Sequence, residues 1–179
     1  MTKLFLVRHG ETVDNKAQIL QGQRQGELND TGREQAREAR DKMRHEAIDV
    51  FVASDLRRSI ETCEIIAEPH FRGDEGSPVP QIKEVVTTSL LRERDWGSFT
   101  GRFIPDLKDE PWPDDIESLE RMKSRAQNFI TWLRVTYPDQ TVLAVGHGII
   151  NKAIQSVYYK KPMNEIHKMG NAEVRVLIL

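Results

Sequence analysis

The sequence predicts an α/β fold, a three-layer sandwich in which helices flank a mostly parallel central sheet. Two features of the pattern predict it. Short apolar runs, such as residues 4–7 and 141–145, are typical of strands buried on both faces. Segments with apolar residues at helical spacing alternate with these runs along the chain. The 179 residues suit one domain (1–179), and we find neither a linker nor an internal repeat.

The first half of the chain is predicted to contain, in order, a strand over 4–7, a helix over 31–47, a strand over 49–53 and a helix over 56–67. A polar, glycine-bearing stretch, 11–29, follows the first strand. Thr31 and Glu34 form a capping box that begins the first helix. Pro69 and Gly73 end the second helix, because proline removes a backbone donor and its ring clashes with the preceding turn.

The second half is predicted to contain, in order, a strand over 82–90, a helix over 119–133, a strand over 141–145, a helix over 149–157 and a strand over 174–179. A loop rich in glycine and proline, 73–80, precedes the first of these strands. Three prolines make the stretch 98–115 irregular, and we expect residues 98–118 to form a short lid-like insertion. The long helix is amphipathic and ends before Pro138.

Composition and charge exclude several classes of function. With 26 Lys and Arg against 28 Asp and Glu, the net charge of −2 argues against a general nucleic-acid binder, which needs a dominant basic face. No apolar run approaches the roughly 20 residues of a membrane helix, and the start of the chain predicts no signal peptide. A single cysteine, Cys63, fits a reducing compartment. We therefore expect a cytoplasmic protein without nucleic-acid or membrane partners; the sequence carries no signal for an oligomeric state.

Four candidate functional residues each follow a predicted strand. His9 follows the first, Arg58 the second, Glu93 the third and His147 the fourth. Ligands of such sheets bind beyond the carboxyl ends of the strands. We therefore expect these four side chains to converge on one site.

The tripeptide 8–10 places an imidazole between a guanidinium group and a glycine. A neutral imidazole nitrogen is a competent nucleophile near pH 7. Arg8 can hold phosphoryl oxygens in a bidentate fork, and Gly10 allows the backbone to approach a ligand. The alternative is an ordinary loop tripeptide.

The other candidates also have an ordinary alternative. Arg57 and Arg58 begin a helix, where cations oppose the helix dipole unless an anion binds there; the alternative is a solvated basic turn. Glu93 lies between two arginines and becomes a proton donor if its site is partly closed, or forms a surface ion pair. His147 stands between two glycines, which indicates either close packing or approach to a ligand. No Cys or carboxylate joins His9 and His147 at a metal-ligand spacing, so we predict no metal site.

Taken together, these stretches resemble the histidine phosphatase superfamily, also called the phosphoglycerate-mutase-like family. The resemblance runs from Leu4 to about Lys152. Its motifs occur in order at residues 6–15, 21–36, 54–62, 91–101 and 145–148. The motif at 54–62 gives the functional place to Arg58 rather than Arg57.

Four residues depart from the family pattern, and they are Glu27, Ser59, Cys63 and Gly146. The family often has proline at position 27, alanine at positions 59 and 63, and serine or threonine at position 146. Gly146 thus lacks a hydroxyl group that would steady the adjacent histidine. None of the four belongs to the core constellation, so we expect activity to be retained.

The resemblance implies a mechanism without metal or other cofactor that proceeds through a phosphohistidine. His9 attacks phosphorus in line, and Glu93 protonates the leaving oxygen and then deprotonates water. Arg8, Arg58 and a protonated His147 hold the phosphoryl oxygens. The further substrate contacts that it implies are Asn15, Gln21, Gly22 and Gly148. Because phosphoryl transfer passes through a loose transition state, positioning and positive charge supply most of the catalysis.

The lid-like insertion bears on which acceptor takes the phosphoryl group. A mutase must exclude water, whereas a phosphatase must admit it. Residues 98–118 are shorter than the insertion of the dimeric mutases and hold six carboxylates against Arg102 and Lys108. We therefore favour a phosphoric monoester hydrolase of the histidine acid type over a phosphoglycerate-mutase-type enzyme. Its substrate is a small-molecule phosphomonoester or a phosphorylated protein.

Two more expectations concern this insertion and the site. The acidic insertion should disfavour bisphosphates through like-charge repulsion. Trp112 is either an apolar substrate contact or packing that holds the insertion in place.

A catalytically inactive module that binds phosphorylated ligands is a third interpretation of the function. Glu93 argues against it, because binding alone needs no proton donor.

Overall fold

The computed structural model describes residues 1–72 and 84–179, and the α/β class is confirmed. Within these residues five strands form one sheet, and they are β1 (Lys3–Arg8), β2 (Val50–Ser54), β3 (Val86–Thr88), β4 (Thr141–Gly146) and β5 (Val174–Ile178). Their order in the sheet is β3-β2-β4-β1-β5. Neighbours among the first four run parallel, and β5 pairs antiparallel with β1. The sheet is therefore mostly parallel, as the sequence predicts.

Helices cover both faces of the sheet. In the described residues they are α1 (Val13–Ala17), α2 (Asp30–Met43), α3 (Arg57–Arg72), α4 (Leu119–Thr136) and α5 (Gly148–Tyr159). Successive strand residues point to opposite faces. Leu4 and Leu6 of β1 thus pack in one core with α4 and α5, and Phe5 and Val7 pack in a second core with α2 and α3. These two cores make the three layers of the predicted sandwich.

The predicted limits of the first helix are wrong at both ends. Asn29, not Thr31, is the N-cap, and its side-chain oxygen accepts a hydrogen bond from the Gly32 amide at 2.8 Å. The Asn29 amide also donates to the Glu11 carbonyl at 3.1 Å, so the preceding loop fixes the start of α2. The helix ends at Met43 and does not reach residue 47.

Two further boundaries differ from the prediction, and one short helix is added. α3 continues through Pro69 to Arg72, because a proline in the last turn removes one helical hydrogen bond without ending the helix. The polar stretch 11–29 contains α1, which the sequence did not indicate and which Thr12 and Asn15 cap reciprocally. Of the strand predicted over 82–90, β3 keeps three residues, and a 3₁₀ turn follows it at Ser89–Leu91. The predicted loop over 73–80 lies outside the described residues.

The segment 98–118 is joined by its backbone to the loop that follows α1. Leu20 donates to the Arg102 carbonyl at 2.9 Å, Gly101 donates to the Leu20 carbonyl at 2.7 Å, and Ile104 donates to the Gln18 carbonyl at 2.8 Å. These bonds hold the segment beside the carboxyl end of β1. No helix in ranges 1–72 and 84–179 combines the length and apolar character needed to cross a membrane.

Candidate active site

His9 lies directly after β1, and the backbone fixes the tautomer of its ring. The Nδ1 atom lies 2.7 Å from the Gly10 carbonyl oxygen. Because a carbonyl only accepts, Nδ1 carries the hydrogen and Nε2 keeps its lone pair. The ring is 3% exposed, and burial, followed by the charges of Arg58 and Arg8, holds the pKa of His9 well below its ordinary value. The imidazole is therefore neutral near pH 7, with Nε2 available as a nucleophile.

His147 follows β4, the neighbour of β1 in the sheet, and packs edge-on against His9 with ring centroids 5.0 Å apart. Its Nε2 atom lies 2.7 Å from the Ser54 hydroxyl and 3.0 Å from the Ser59 hydroxyl. Burial, and then nearby positive charge, holds the pKa of His147 well below its ordinary value. Burial and nearby positive charge therefore favour the neutral ring in the absence of a bound anion, and the protonated form expected from the sequence stays a prediction for the phosphate-bound site. Ser59 supplies a hydroxyl group that Gly146 cannot.

Arg58 is 1% exposed and is held by the loop before α2. Its Nη2 donates to the Gly22 carbonyl at 2.7 Å, and Nη1 donates to the carbonyls of Arg24 and, at 3.2 Å, Gln25. Burial lowers the pKa of Arg58 to about 10, so the guanidinium stays charged at neutral pH. Arg57, by contrast, is exposed. The structure thus places Arg58, not its neighbour, in the site.

Arg8, at the end of β1, lies beside an open gap. Its Nη1 donates to the Met169 carbonyl at 2.8 Å, and burial lowers the pKa of the guanidinium. A β-carbon built on Gly148 would lie 3.5 Å from Arg8 Nε and 3.7 Å from Glu93 Oε2. Because Gly148 has no side chain, the space between the guanidinium and the carboxylate stays free.

Glu93 sits at the N-terminus of α5. Its Oε1 accepts from the amides of Arg94, at 2.9 Å, and Ile150, at 3.0 Å, and its Oε2 accepts from the Ile149 amide at 3.0 Å. The partial positive charge of a helix N-terminus favours a carboxylate there. These bonds fix the carboxylate at one wall of the site.

The arginines on either side of Glu93 have other partners. Arg92 makes a bidentate ion pair with Asp55 at 2.7 and 2.6 Å, and Arg94 lies over the Trp96 ring at 4.7 Å. Neither forms an ion pair with Glu93, although both are within the described residues. Arg125 donates to the Arg92 carbonyl at 2.6 Å and so holds this segment. The surface ion pair considered as the alternative for Glu93 is not formed.

Gly10 has a different role from the one expected. A β-carbon there would lie 2.4 Å from the Gly32 carbonyl oxygen, so the missing side chain makes room for α2 rather than for a ligand. The Gly10 amide donates to the Thr62 hydroxyl at 3.1 Å, and that hydroxyl donates to the Arg58 carbonyl at 2.8 Å. This chain of contacts fixes His9 relative to α3.

A cleft of about 240 Å³ opens where these elements meet. The predicted residues that line it are Arg8, His9, Asn15, Gln21, Gly22, Arg58, Glu93 and Gly148. His147, which is fully buried, lies behind the His9 ring and not on the wall. The lining residues that the sequence did not indicate are Ile19, Leu20, Trp96, Ile104, Ile149, Lys152 and Lys168. For Lys152 a signal existed, because it lies four residues after Gly148 and so on the same helix face.

The acidic side chains of segment 98–118 do not face the cleft. None of its six carboxylates lines the wall. Glu110 pairs with Arg102 at 2.6 Å, and Asp115 accepts from the Ser98 amide at 2.9 Å. The repulsion of bisphosphates by this segment therefore has no direct contact behind it and stays a prediction.

Trp112 packs on other aromatic rings of the same region. Its ring lies edge-on to Trp96, with centroids 5.4 Å apart, and to Phe99 at 6.5 Å. Trp96 lines the cleft, whereas Trp112 does not. This arrangement supports the packing interpretation of Trp112.

The fold and this site define an α/β enzyme whose cleft presents a neutral imidazole between two guanidinium groups. The model of the histidine phosphatase superfamily, branch 1, matches residues 4–179, and the chain belongs to that superfamily. The chain is therefore an enzyme of a superfamily whose members include phosphatases and phosphoglycerate-mutase-type proteins.

Individual relatives agree with this assignment. The chain is 34% identical over 153 residues to an uncharacterized phosphatase, PhoE, of Bacillus subtilis, an alignment that covers 83% of this chain and 72% of the relative. It is 31% identical over 163 residues to a probable phosphoglycerate mutase, GpmB, of Proteus mirabilis, covering 83% and 71%. Its fold is similar to that of a mycobacterial glucosyl-3-phosphoglycerate phosphatase, with a TM-score of 0.84, 26% identity and coverage of 98% and 92%.

Proposed function

We propose that the protein is a metal-independent phosphatase that hydrolyses phosphomonoesters through a phosphohistidine on His9. The observation that carries the proposal is the fixed tautomer of His9, whose Nε2 lone pair lies in a cleft lined by Arg8 and Arg58. A nucleophile that is neutral near pH 7 and surrounded by fixed positive charge suits an attack on a phosphate ester.

Unpartnered donors support a phosphoryl site. The buried Nε atoms of Arg8 and Arg58 have no hydrogen-bond partner in the described part of the chain. An unsatisfied buried donor costs about 1–3 kcal/mol. The oxygens of a bound phosphoryl group would satisfy such donors, and the arginines would stabilise the charge of the transition state.

The chemistry needs two steps. In the first, Glu93 takes the proton of the bound phosphate ester monoanion, His9 Nε2 forms a bond to phosphorus, the bond from phosphorus to the ester oxygen breaks, and Glu93 gives that proton to the leaving alcohol. In the second, water attacks the phosphohistidine while Glu93 takes its proton, and inorganic phosphate leaves with the imidazole restored. A mutase would instead return the phosphoryl group to a retained substrate. The small insertion at 98–118 favours access of water, and with it hydrolysis.

The direct test is turnover of para-nitrophenyl phosphate in the presence of EDTA, with His9→Ala as the variant. We expect wild-type turnover and a loss of at least a thousandfold in the folded variant, which circular dichroism checks. Retained activity in His9→Ala would rule out the nucleophile. Phosphate binding without turnover would favour the binding module, and transfer from 2,3-bisphosphoglycerate to a monophosphoglycerate would favour the mutase.

The role of Glu93 has a separate test in the leaving group. Glu93→Gln keeps the shape of the side chain but has no proton to give. An alkyl phosphate needs protonation of its leaving oxygen far more than para-nitrophenyl phosphate does. We therefore expect Glu93→Gln to slow glycerol 3-phosphate much more than para-nitrophenyl phosphate; equal losses would contradict the proton-donor role.

A further inference from the structure

We propose that Arg125 and its ion-pair partner Glu117 are positioning residues for Glu93, and that they act through the backbone of residues 90–95. The proposal rests on the proposed phosphatase function, in which Glu93 moves the proton. Arg125 belongs to α4, and within the described residues that helix contributes no side chain to the wall of the cleft. The pair would therefore act on the reaction without touching the substrate.

The Arg125 guanidinium has an acceptor for each of its donors. Its Nη1 donates to the carbonyls of Leu90, at 3.1 Å, and Arg92, at 2.6 Å, and its Nη2 donates to the Glu93 carbonyl at 3.3 Å. The Nε and Nη2 atoms donate to the two carboxylate oxygens of Glu117, at 3.0 and 2.8 Å. Because a guanidinium has five N–H groups, these five oxygens account for all of them.

Glu117 holds the backbone that follows Glu93. Its carbonyl accepts from Arg94 Nε at 2.7 Å, its carboxylate accepts from the Asp95 amide at 3.0 Å, and its own amide donates to the Asp95 carbonyl at 2.8 Å. The side chains of Arg125 and Glu117 are 18% and 12% exposed, so solvent screens their ion pair little. The pair therefore fixes the chain on both sides of the proton donor.

The position of the Glu93 carboxyl group depends on both ends of its side chain. The amides of Ile149 and Ile150 hold the carboxyl end, and the backbone held by Arg125 is the other end. A catalytic acid works within hydrogen-bond reach, about 2.6–3.2 Å, of the atom that it protonates. A misplacement of about 1 Å can cost about a hundredfold in rate. A shift of this backbone should therefore impair proton transfer before it impairs binding of the phosphoryl group.

The test uses two substrates that differ in their need for a proton. The alkyl leaving oxygen of glycerol 3-phosphate needs it, whereas para-nitrophenyl phosphate needs it far less. The variant is Arg125→Lys, which keeps the charge but loses the fork that reaches Glu117 and the carbonyls together. We expect kcat/KM to fall about tenfold or more for glycerol 3-phosphate and about twofold or less for para-nitrophenyl phosphate. Arg121→Lys, the same change at an exposed position of α4, should leave both values unchanged.

The double variant Arg125→Lys/Glu93→Gln decides whether Arg125 acts through Glu93. Because Glu93→Gln has already removed the proton, the added Arg125→Lys change should slow glycerol 3-phosphate by no more than about twofold further. Losses that multiply would overturn the positioning role. An Arg125→Lys enzyme that is slowed equally with both substrates would also overturn it, because a packing contact alone has no preference for the leaving group.

Glu117→Gln is the second variant, and it decides the question if circular dichroism shows that Arg125→Lys does not fold. It keeps the shape of the side chain but turns one of the two acceptors for Arg125 into a donor. We expect it to slow glycerol 3-phosphate about threefold more than para-nitrophenyl phosphate. An unchanged ratio in this variant would overturn the proposal. If the wild type turns over neither substrate, the proposed function itself fails, and the positioning role fails with it.

Discussion

Gly146→Ser probes the packing of β4 against α5 behind the two histidines. A β-carbon on Gly146 would lie 2.2 Å from Asn151 Oδ1. Asn151 is fully buried, and its Nδ2 donates to the Val7 carbonyl at 3.0 Å, one residue before Arg8. The side chain of Asn151 therefore occupies the space that the serine or threonine typical of the family would need.

The magnitude follows from this geometry. The Asn151 amide group must move by about 1 Å to clear the new β-carbon, in an interior packed as densely as an organic crystal. Overpacking of this kind costs about 1–3 kcal/mol, and loss of the hydrogen bond to Val7 costs about 1 kcal/mol. We expect Gly146→Ser to lower the free energy of unfolding by about 2–4 kcal/mol.

Urea unfolding measures this change. With a denaturant dependence of about 1–3 kcal/mol per molar urea, the midpoint should fall by about 1 M or more. Gly170→Ser is the matched control, because a β-carbon at Gly170 would meet nothing closer than Glu173 Oε1 at 3.8 Å. Its midpoint should stay within experimental error of the wild type.

The double variant Gly146→Ser/Asn151→Ala decides whether Asn151 is the cause. Because the alanine removes the clashing amide, the two changes should cost at least about 1 kcal/mol less together than the sum of the single changes. A wild-type midpoint for Gly146→Ser, or strictly additive costs, would refute the reasoning.

In mild acid the unfolded chain binds protons on His9 and His147 below about pH 6.5, whereas the buried rings, whose pKa values are lowered, do not. The free energy of unfolding should therefore fall as pH drops below 6.5, by at most about 1.4 kcal/mol per pH unit for each ring. From pH 7.5 to pH 5.5 the urea midpoint of His9→Ala should therefore fall less than that of the wild type. Ser59→Ala leaves His147 with one hydroxyl partner, so we expect kcat to decrease about fivefold with little change in KM, and Ser59→Thr to retain most of the activity. Arg58→Lys loses the fork that holds the Gly22 carbonyl and the phosphoryl group together, and kcat/KM should fall at least a hundredfold.

Each of these expectations has an opposite outcome. Equal pH dependence of stability for wild type and His9→Ala would mean that the His9 ring is protonated in the folded protein. A change in KM alone for Ser59→Ala would place that hydroxyl in substrate binding rather than in the positioning of His147. An active Arg58→Lys enzyme would show that a point charge suffices at that position.

Local signals in the sequence determined much of the fold. Strand runs such as 4–7 and 141–145 are recognisable from apolar continuity alone, since both of their faces are buried. Helix limits were less accurate, because Asn29 and Thr31 are both competent caps. The bond from Asn29 to Glu11, a residue far back in the loop, selects between them.

For the site, the sequence by itself determined which side chains stand beyond the strand ends, because each follows its strand within a few residues. Only the tertiary structure decided what those side chains can do. The lowered pKa of His147 depends on burial and on nearby positive charge, and its ring contacts the hydroxyl of Ser59, which is 88 residues away in the chain. The lysines at the cleft become neighbours of Arg8 when α5 and the segment before β5 pack beside it. Such contacts join residues that are distant in sequence, and their strength depends on burial, so that no local pattern records them.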